Sequence, residues 1–235
     1  MTSLDIREQF TIATGLRITE VFSPGRSMSA LRALQNSLLR HFPQHAHVLP
    51  ELDAAWREGS HDPEVIVHAW LLENEVENAC GFLIFHTNLR RAMMLQHFVA
   101  MDKAMRSGLP FNWMHSLFDA ALAVSEREAA VAGVRLLGSM GENDAQHMAG
   151  WRRIGYRLLD VDYHEPEHGK HWADYEELTY LTPAPMVRLT EYGSAVPLRD
   201  VATAAVSAYL LDHYLLEPDN PTVTRTLELA RGLPD

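Results

Sequence analysis

A chain of 235 residues, 47% hydrophobic and 22% charged, is long enough for one large core or for one domain with a substantial appendage. Its net charge of −11 speaks against a general nucleic-acid binder, because affinity for phosphate backbones comes mainly from Lys and Arg. No apolar run reaches the roughly 20 residues that a membrane-spanning helix needs. Met1-Thr2-Ser3-Leu4-Asp5 lacks the basic-then-apolar pattern of a signal peptide, and the lone Cys80 excludes an internal disulfide framework. The expectation is a cytoplasmic protein without membrane or nucleic-acid partners.

In chain order, residues 15–22 alternate as a first strand, and Ser27 or Ser29 can cap a helix with Leu31, Leu34, Leu38 and Leu39 on one face. A polar connection from His41 to His47 leads to a shorter helix from Leu49-Pro50 to Gly59, with Pro at its start and Gly at its end. Val65 to Leu72 and Ala79 to His86 read as two strands of a hairpin across the polar turn 73–78, and Ala92 to Met101 as the next, fourth strand. Phe111 to Val131 is an amphipathic helix, with Met114, Leu117, Phe118, Ala121 and Leu122 at helical spacing.

Gly133 to Met140 then reads as a strand, Asn143 to Ile154 as a short helix and Tyr156 to Tyr163 as a strand. The His/Glu-rich segment 164–171 reads as a loop, and Tyr175 to Leu181 as a last strand stopped by Thr182-Pro183-Ala184-Pro185. Beyond it lies a predicted helix from Pro197 to Leu216 with Val201, Ala205, Ala208, Tyr209 and Leu211 on one side. The breaker Glu217-Pro218-Asp219-Asn220-Pro221 separates it from a final helix, 222–231.

The order strand–helix–helix–three strands–helix–strand–helix–strand–strand over roughly 15–182 resembles the GCN5-related N-acetyltransferase (GNAT) superfamily. The resemblance implies an α/β (α+β) fold: a mixed, mostly antiparallel, twisted central sheet flanked by helices. It implies a division into an acyltransferase domain, 1–185, and a C-terminal helical extension, 186–235, packed on the core or on a second subunit as a homodimer. It also implies an acyl-CoA cosubstrate, such as acetyl-CoA, that gives its acyl group to a small-molecule amine or amino-acid-like acceptor in a ternary complex.

The family signature, R/Q-x-x-G-x-G/A after the fourth strand, has its counterpart in Arg106-Ser107-Gly108-Leu109-Pro110-Phe111. A strand that enters a helix through such a turn presents N–H groups and the positive end of the helix dipole to an anion. The resemblance therefore assigns Arg106, Ser107 and Gly108 to the diphosphate and the backbone of Val99, Ala100 and Met101 to the pantetheine. Gly108 stands one residue early, and Pro110, which has no N–H, falls near the second small position.

The second marker, N-x-x-A-x-x-x-Y-x-x-x-G-F, has its counterpart in Asn143 and in Trp151 ahead of Gly155-Tyr156. Trp151 replaces the tyrosine whose hydroxyl commonly protonates the departing thiolate, and indole N–H is only a hydrogen-bond donor. His97, on the strand that supplies bases in this family, is the candidate general base, since an unshifted imidazole titrates near neutrality. No metal is expected. His164, His168 and His171, like His41, His45 and His47, lack regular ligand spacing, and Cys80 sits inside a strand as inert packing. Two further readings accompany the first. One is an N-acyl amino acid or acyl-homoserine-lactone synthase-like enzyme; the other is a catalytically inactive GNAT-like binding or assembly protein.

Overall fold

Leucines spaced three and four apart give the first long helix its buried stripe, and the strands that follow are apolar enough to receive it. The computed structural model describes residues 5–22, 27–60, 62–76 and 78–234; Met1 to Leu4 and Glu77 of the predicted hairpin turn lie outside them. Seven strands hydrogen-bond in the order β1-β2-β3-β4-β5-β9-β6, a mostly antiparallel sheet flanked by helices. The strands and helices fall into two compact units.

The first unit runs to Thr87 and resumes over Gln96–Glu128. It holds α1 (Ile6–Thr14), β1 (Arg17–Glu20), α2 (Met28–His41), α3 (Leu49–Glu58), β2 (Val65–Glu73), most of β3 (Ala79–Asn88), the end of β4 (Met93–Met101), the single turn α4 (Lys103–Arg106) and most of α5 (Trp113–Val131). Helix α1 is absent from the sequence expectation. Asp5 caps it by accepting from the Arg7 N–H, and Gly15 ends it at φ 74°. Leu31, Leu34 and Leu38 of α2 and Leu52 of α3 pack on Ala69, Leu71, Phe82, Ile84 and Ala100. Leu39 is exposed, and Ser37 takes the core side in its place. The polar connection between α2 and α3 carries a 3-10 helix, Pro43–Val48.

The second unit comprises 88–95 and 129–235. Its elements are β5 (Gly138–Asn143), α6 (Met148–Arg153), β6 (Arg157–Leu158), β7 (Glu165–Pro166), β8 (Tyr180–Leu181), β9 (Ala184–Leu189), α7 (Leu198–Ser207) and α8 (Pro221–Arg231). Here the sequence expectation needs correction. The strand beside β5 is β9, whose Met140↔Val187 and Glu142↔Pro185 register runs through the proline-rich stretch expected to stop the sheet. The predicted strand 175–181 contributes only β8, which pairs with β7 as a separate ribbon. The predicted strand 156–163 shrinks to β6, because Leu159 and Tyr163 turn inward.

The predicted helix 197–216 is α7 followed by a π-helical turn, Ala208–His213. Its apolar stripe, Val201, Ala205, Val206, Tyr209 and Leu210, is buried against Met140 and Val187 of the sheet and Val223 of α8. The position 185/186, expected as a domain boundary, lies within β9.

Candidate functional site

Strand β4 is buried at its start and again at Ala100 and Met101, and only half-buried between them, at His97, Phe98 and Val99. Alternation places Phe98 against the α2–α3 core and His97 on the opposite face. The His97 imidazole lies beside that of His86 from β3, ring centres 4.2 Å apart. Phe98 makes edge contacts with Phe42 at 5.3 Å and His45 at 5.1 Å. Burial, helped by neighbouring His47, holds His45 below the usual imidazole value.

Gly81 of β3 lets the end of β4 approach. A Cβ there would stand 2.6 Å from the Ala100 carbonyl oxygen. The Asp102 N–H then donates to the Cys80 carbonyl at 2.7 Å, closing the strand. Burial and the nearby Asp102 charge push the Cys80 thiol up to about 11, which keeps it protonated and unreactive.

The chain leaves β4 through α4. Asp102 does not cap this turn with its side chain. Its carboxylate is held from α2 instead, by Arg40 Nη1 at 3.1 Å and His41 Nε2 at 3.0 Å. Arg106 folds back so that its Nε donates to the Met101 carbonyl at 2.9 Å. The Gly108 N–H donates to the Met105 carbonyl at 3.1 Å, and Ser107 and Gly108 are exposed beside it. The expected strand–turn–helix passage is therefore a strand, one helical turn and a second turn before α5, which begins at Trp113, two residues later than Phe111. Val99, Ala100, Met101, Arg106, Ser107 and Gly108 share this corner of the first unit. So do Arg40, His41 and Asp102, which sequence spacing did not single out; their link spans about sixty residues of chain.

Asn143 and Trp151 belong to the second unit. Asn143 is the last residue of β5, opposite Ala184, and Asp144 caps the next turn by accepting from the Gln146 N–H. Trp151 is buried on α6 with its ring 5.4 Å from Tyr156, edge to face. Tyr156 in turn meets the Ser139 hydroxyl at 2.8 Å. In the segment 164–171 the histidines take separate partners: His164 with Asp162 at 2.9 Å, His168 stacked on Tyr175, His171 with Asp174 at 3.5 Å.

Two solved chimeras of the Vibrio cholerae spermidine N-acetyltransferase SpeG with hSSAT resemble this chain. One is 13% identical with a TM-score of 0.51, covering 77% of this chain and 99% of its own. The other is 12% identical with a TM-score of 0.50 over 77% and 99%. The Vibrio cholerae spermidine N-acetyltransferase solved with CoA and spermine aligns at 12% identity and a TM-score of 0.49, over 74% of this chain and 95% of that one. No family model and no curated protein matches the sequence. The chain has the GNAT fold. At these identities the GNAT likeness is one of architecture: helices α2 and α3 between β1 and β2, and α4 and α5 between β4 and β5.

Proposed function

We propose that the protein is an acyl-CoA-dependent N-acyltransferase that acylates a small primary amine, the exit of β4 being its donor corner. The observation that carries this reading is the construction of that exit within the GNAT fold. The strand carbonyls and N–H groups from Val99 to Met101 precede a turn whose side chains Lys103, Arg106 and Ser107 are exposed. The one carboxylate at the exit, Asp102, is already held by Arg40 and His41, so its repulsion of a diphosphate is reduced. The amine nitrogen attacks the thioester carbonyl and its proton passes to His97. A strand N–H steadies the oxyanion, and the C–S bond breaks to release the thiolate, which takes a proton from water.

Titration calorimetry with acetyl-CoA is the direct test. Binding is expected, and Arg106→Ala is expected to weaken it about tenfold or more by removing a charged donor. Absence of binding at millimolar ligand defeats the enzyme reading. A second reading, a GNAT-like module without acyl transfer, is favoured by two features. The Gly108 N–H is already spent on Met105, and the buried Trp151 stands where the family places its acidic tyrosine. Binding without CoA release across an amine panel supports that module.

A further inference from the structure

Four side chains of the second unit converge at the end of β5. Tyr163, between β6 and β7, donates its phenol to Glu142 of β5. Tyr214, just past the π-helical turn, bonds Glu142 Oε2 at 2.5 Å and Glu165 Oε2 of β7 at 3.0 Å. The two carboxyls thus meet at one phenol oxygen. A phenol donates a single hydrogen and an ionised carboxylate only accepts, so one of these two bonds requires a proton on a carboxyl. Among the described residues, no Lys or Arg bonds any of the four.

The surroundings are just as poor in cations. Tyr209 of the π turn packs beside Tyr214 at 5.9 Å, and Tyr156 faces Tyr209 from the α6–β6 connection. His213, with its ring 4.8 Å from that of Tyr214, is the other titratable neighbour. The backbone near Tyr214 is unusual as well. Its N–H reaches back to the Tyr209 carbonyl at 2.8 Å, and Leu215 follows at φ 57°, a conformation that residues with a Cβ avoid. Trp172 Nε1 holds the Tyr214 carbonyl at 2.9 Å. A segment in a strained turn, packed on the sheet by its apolar stripe, thus has a polar link to that sheet through phenols on a carboxyl pair.

We propose that the C-terminal helical segment of this protein is latched to the sheet by one proton that the Glu142 and Glu165 carboxyls hold at the Tyr214 phenol, and that losing the proton loosens the latch. Burial and the adjacent Glu165 push the Glu142 carboxyl well above its ordinary 4.5, and burial raises Glu165 too. The unlatched form gives the proton up near 4.5, whereas the latched form keeps it to higher pH. Latching is therefore complete in acid and weakens as pH rises through the raised value, by up to about tenfold per pH unit while one form holds the proton and the other does not.

Hydrogen-exchange protection factors on the full chain test this, read at about pH 5 and about pH 6.5, above the ordinary carboxyl value, with α2 as internal reference. Protection in α7, the π turn and α8 is expected to fall by about tenfold or more relative to α2. Glu142→Gln supplies a permanent N–H donor toward the Tyr214 phenol, which can then donate to Glu165, and keeps an acceptor for Tyr163, so its fall is expected to shrink to within about threefold. Should that variant fail to fold, Glu165→Gln makes the same comparison. Unchanged wild-type protection across this range, or a glutamine variant that follows the wild-type fall, overturns the proposal.

Discussion

His68 interrupts an apolar run, Val65-Ile66-Val67-His68-Ala69-Trp70, and such a side chain must be partnered wherever it is buried. Its Nδ1 meets Glu20 at 2.9 Å, its Nε2 meets Glu128 at 2.9 Å, and its ring stacks on Phe85 at 4.5 Å. Trp70 Nε1 at 2.9 Å and the Ala69 N–H at 3.1 Å also donate to Glu20. Burial works against the imidazolium, but the hydrogen bonds to Glu128 and Glu20 prevail and raise His68 to about 9. Because the folded value lies above the ordinary 6.5, this stabilisation is whole below pH 6.5 and is lost as pH rises to about 9. Urea unfolding should show wild-type stability declining over that range, with the decline reduced in His68→Leu. At neutral pH this variant should be weaker by about 3 kcal/mol, the lower end for a broken buried pair, since Arg7 still meets Glu20 at 3.3 Å. Equal alkaline slopes in the two proteins would show that His68 is not the group responsible. The interrupted run was visible in the sequence; its partners, forty-eight and sixty residues away, were not.

At the scale of elements, legibility followed how locally each element is specified. Helix α3, with Pro50 at its start and Gly59 past its end, lies where its punctuation placed it. Strands β2, β3 and β4 match their apolar runs within two residues. Helix α1 carried signals that went unused: Asp5 followed by Glu8, then Gly15. Its single buried residue, Phe10, gave no apolar stripe to support them. Strand β9 was hidden by Pro185, and the π turn by a stripe that continues across it, because a helical pattern does not record where the hydrogen-bond register shifts. Two glycines, one in a strand and one in a helix, would respond oppositely to an added Cβ. Gly81→Ala should cost about 1–3 kcal/mol, because its Cβ meets backbone at 2.6 Å, whereas Gly150→Ala meets nothing within 4 Å inside α6 and should stabilise by about 0.5–1 kcal/mol. Thermal unfolding of the two variants ranks them, and a stabilising Gly81→Ala would mean that β3 and β4 are not held this close.

At the scale of the whole molecule, the candidate donor corner was legible as a corner but not as chemistry. The sequence marks the end of β4 and names Arg106, whereas the salt link from α2 to Asp102 depends on packing that no local pattern encodes. The C-terminal segment shows the converse. Its apolar stripe suggested either the core or a second subunit, and the chain itself covers the stripe: Val201, Val206, Tyr209, Leu210 and Val223 are each fully buried in one cluster with Met93, Met140 and Val187. At about 1.5–3 kcal/mol for each large side chain, removing those five forfeits on the order of 10 kcal/mol, comparable to the roughly 5–15 kcal/mol that holds a domain folded. Truncation after Leu189 should therefore yield an aggregating chain that has lost its cooperative unfolding transition, although β1 to β9 all remain in it. Circular dichroism melts and size-exclusion chromatography of that truncation decide the matter. A soluble monomer with a sharp melt would mean that the sheet supports itself and that 190–235 is an appendage; a soluble dimer would mean that a partner copy can cover the face α7 leaves bare.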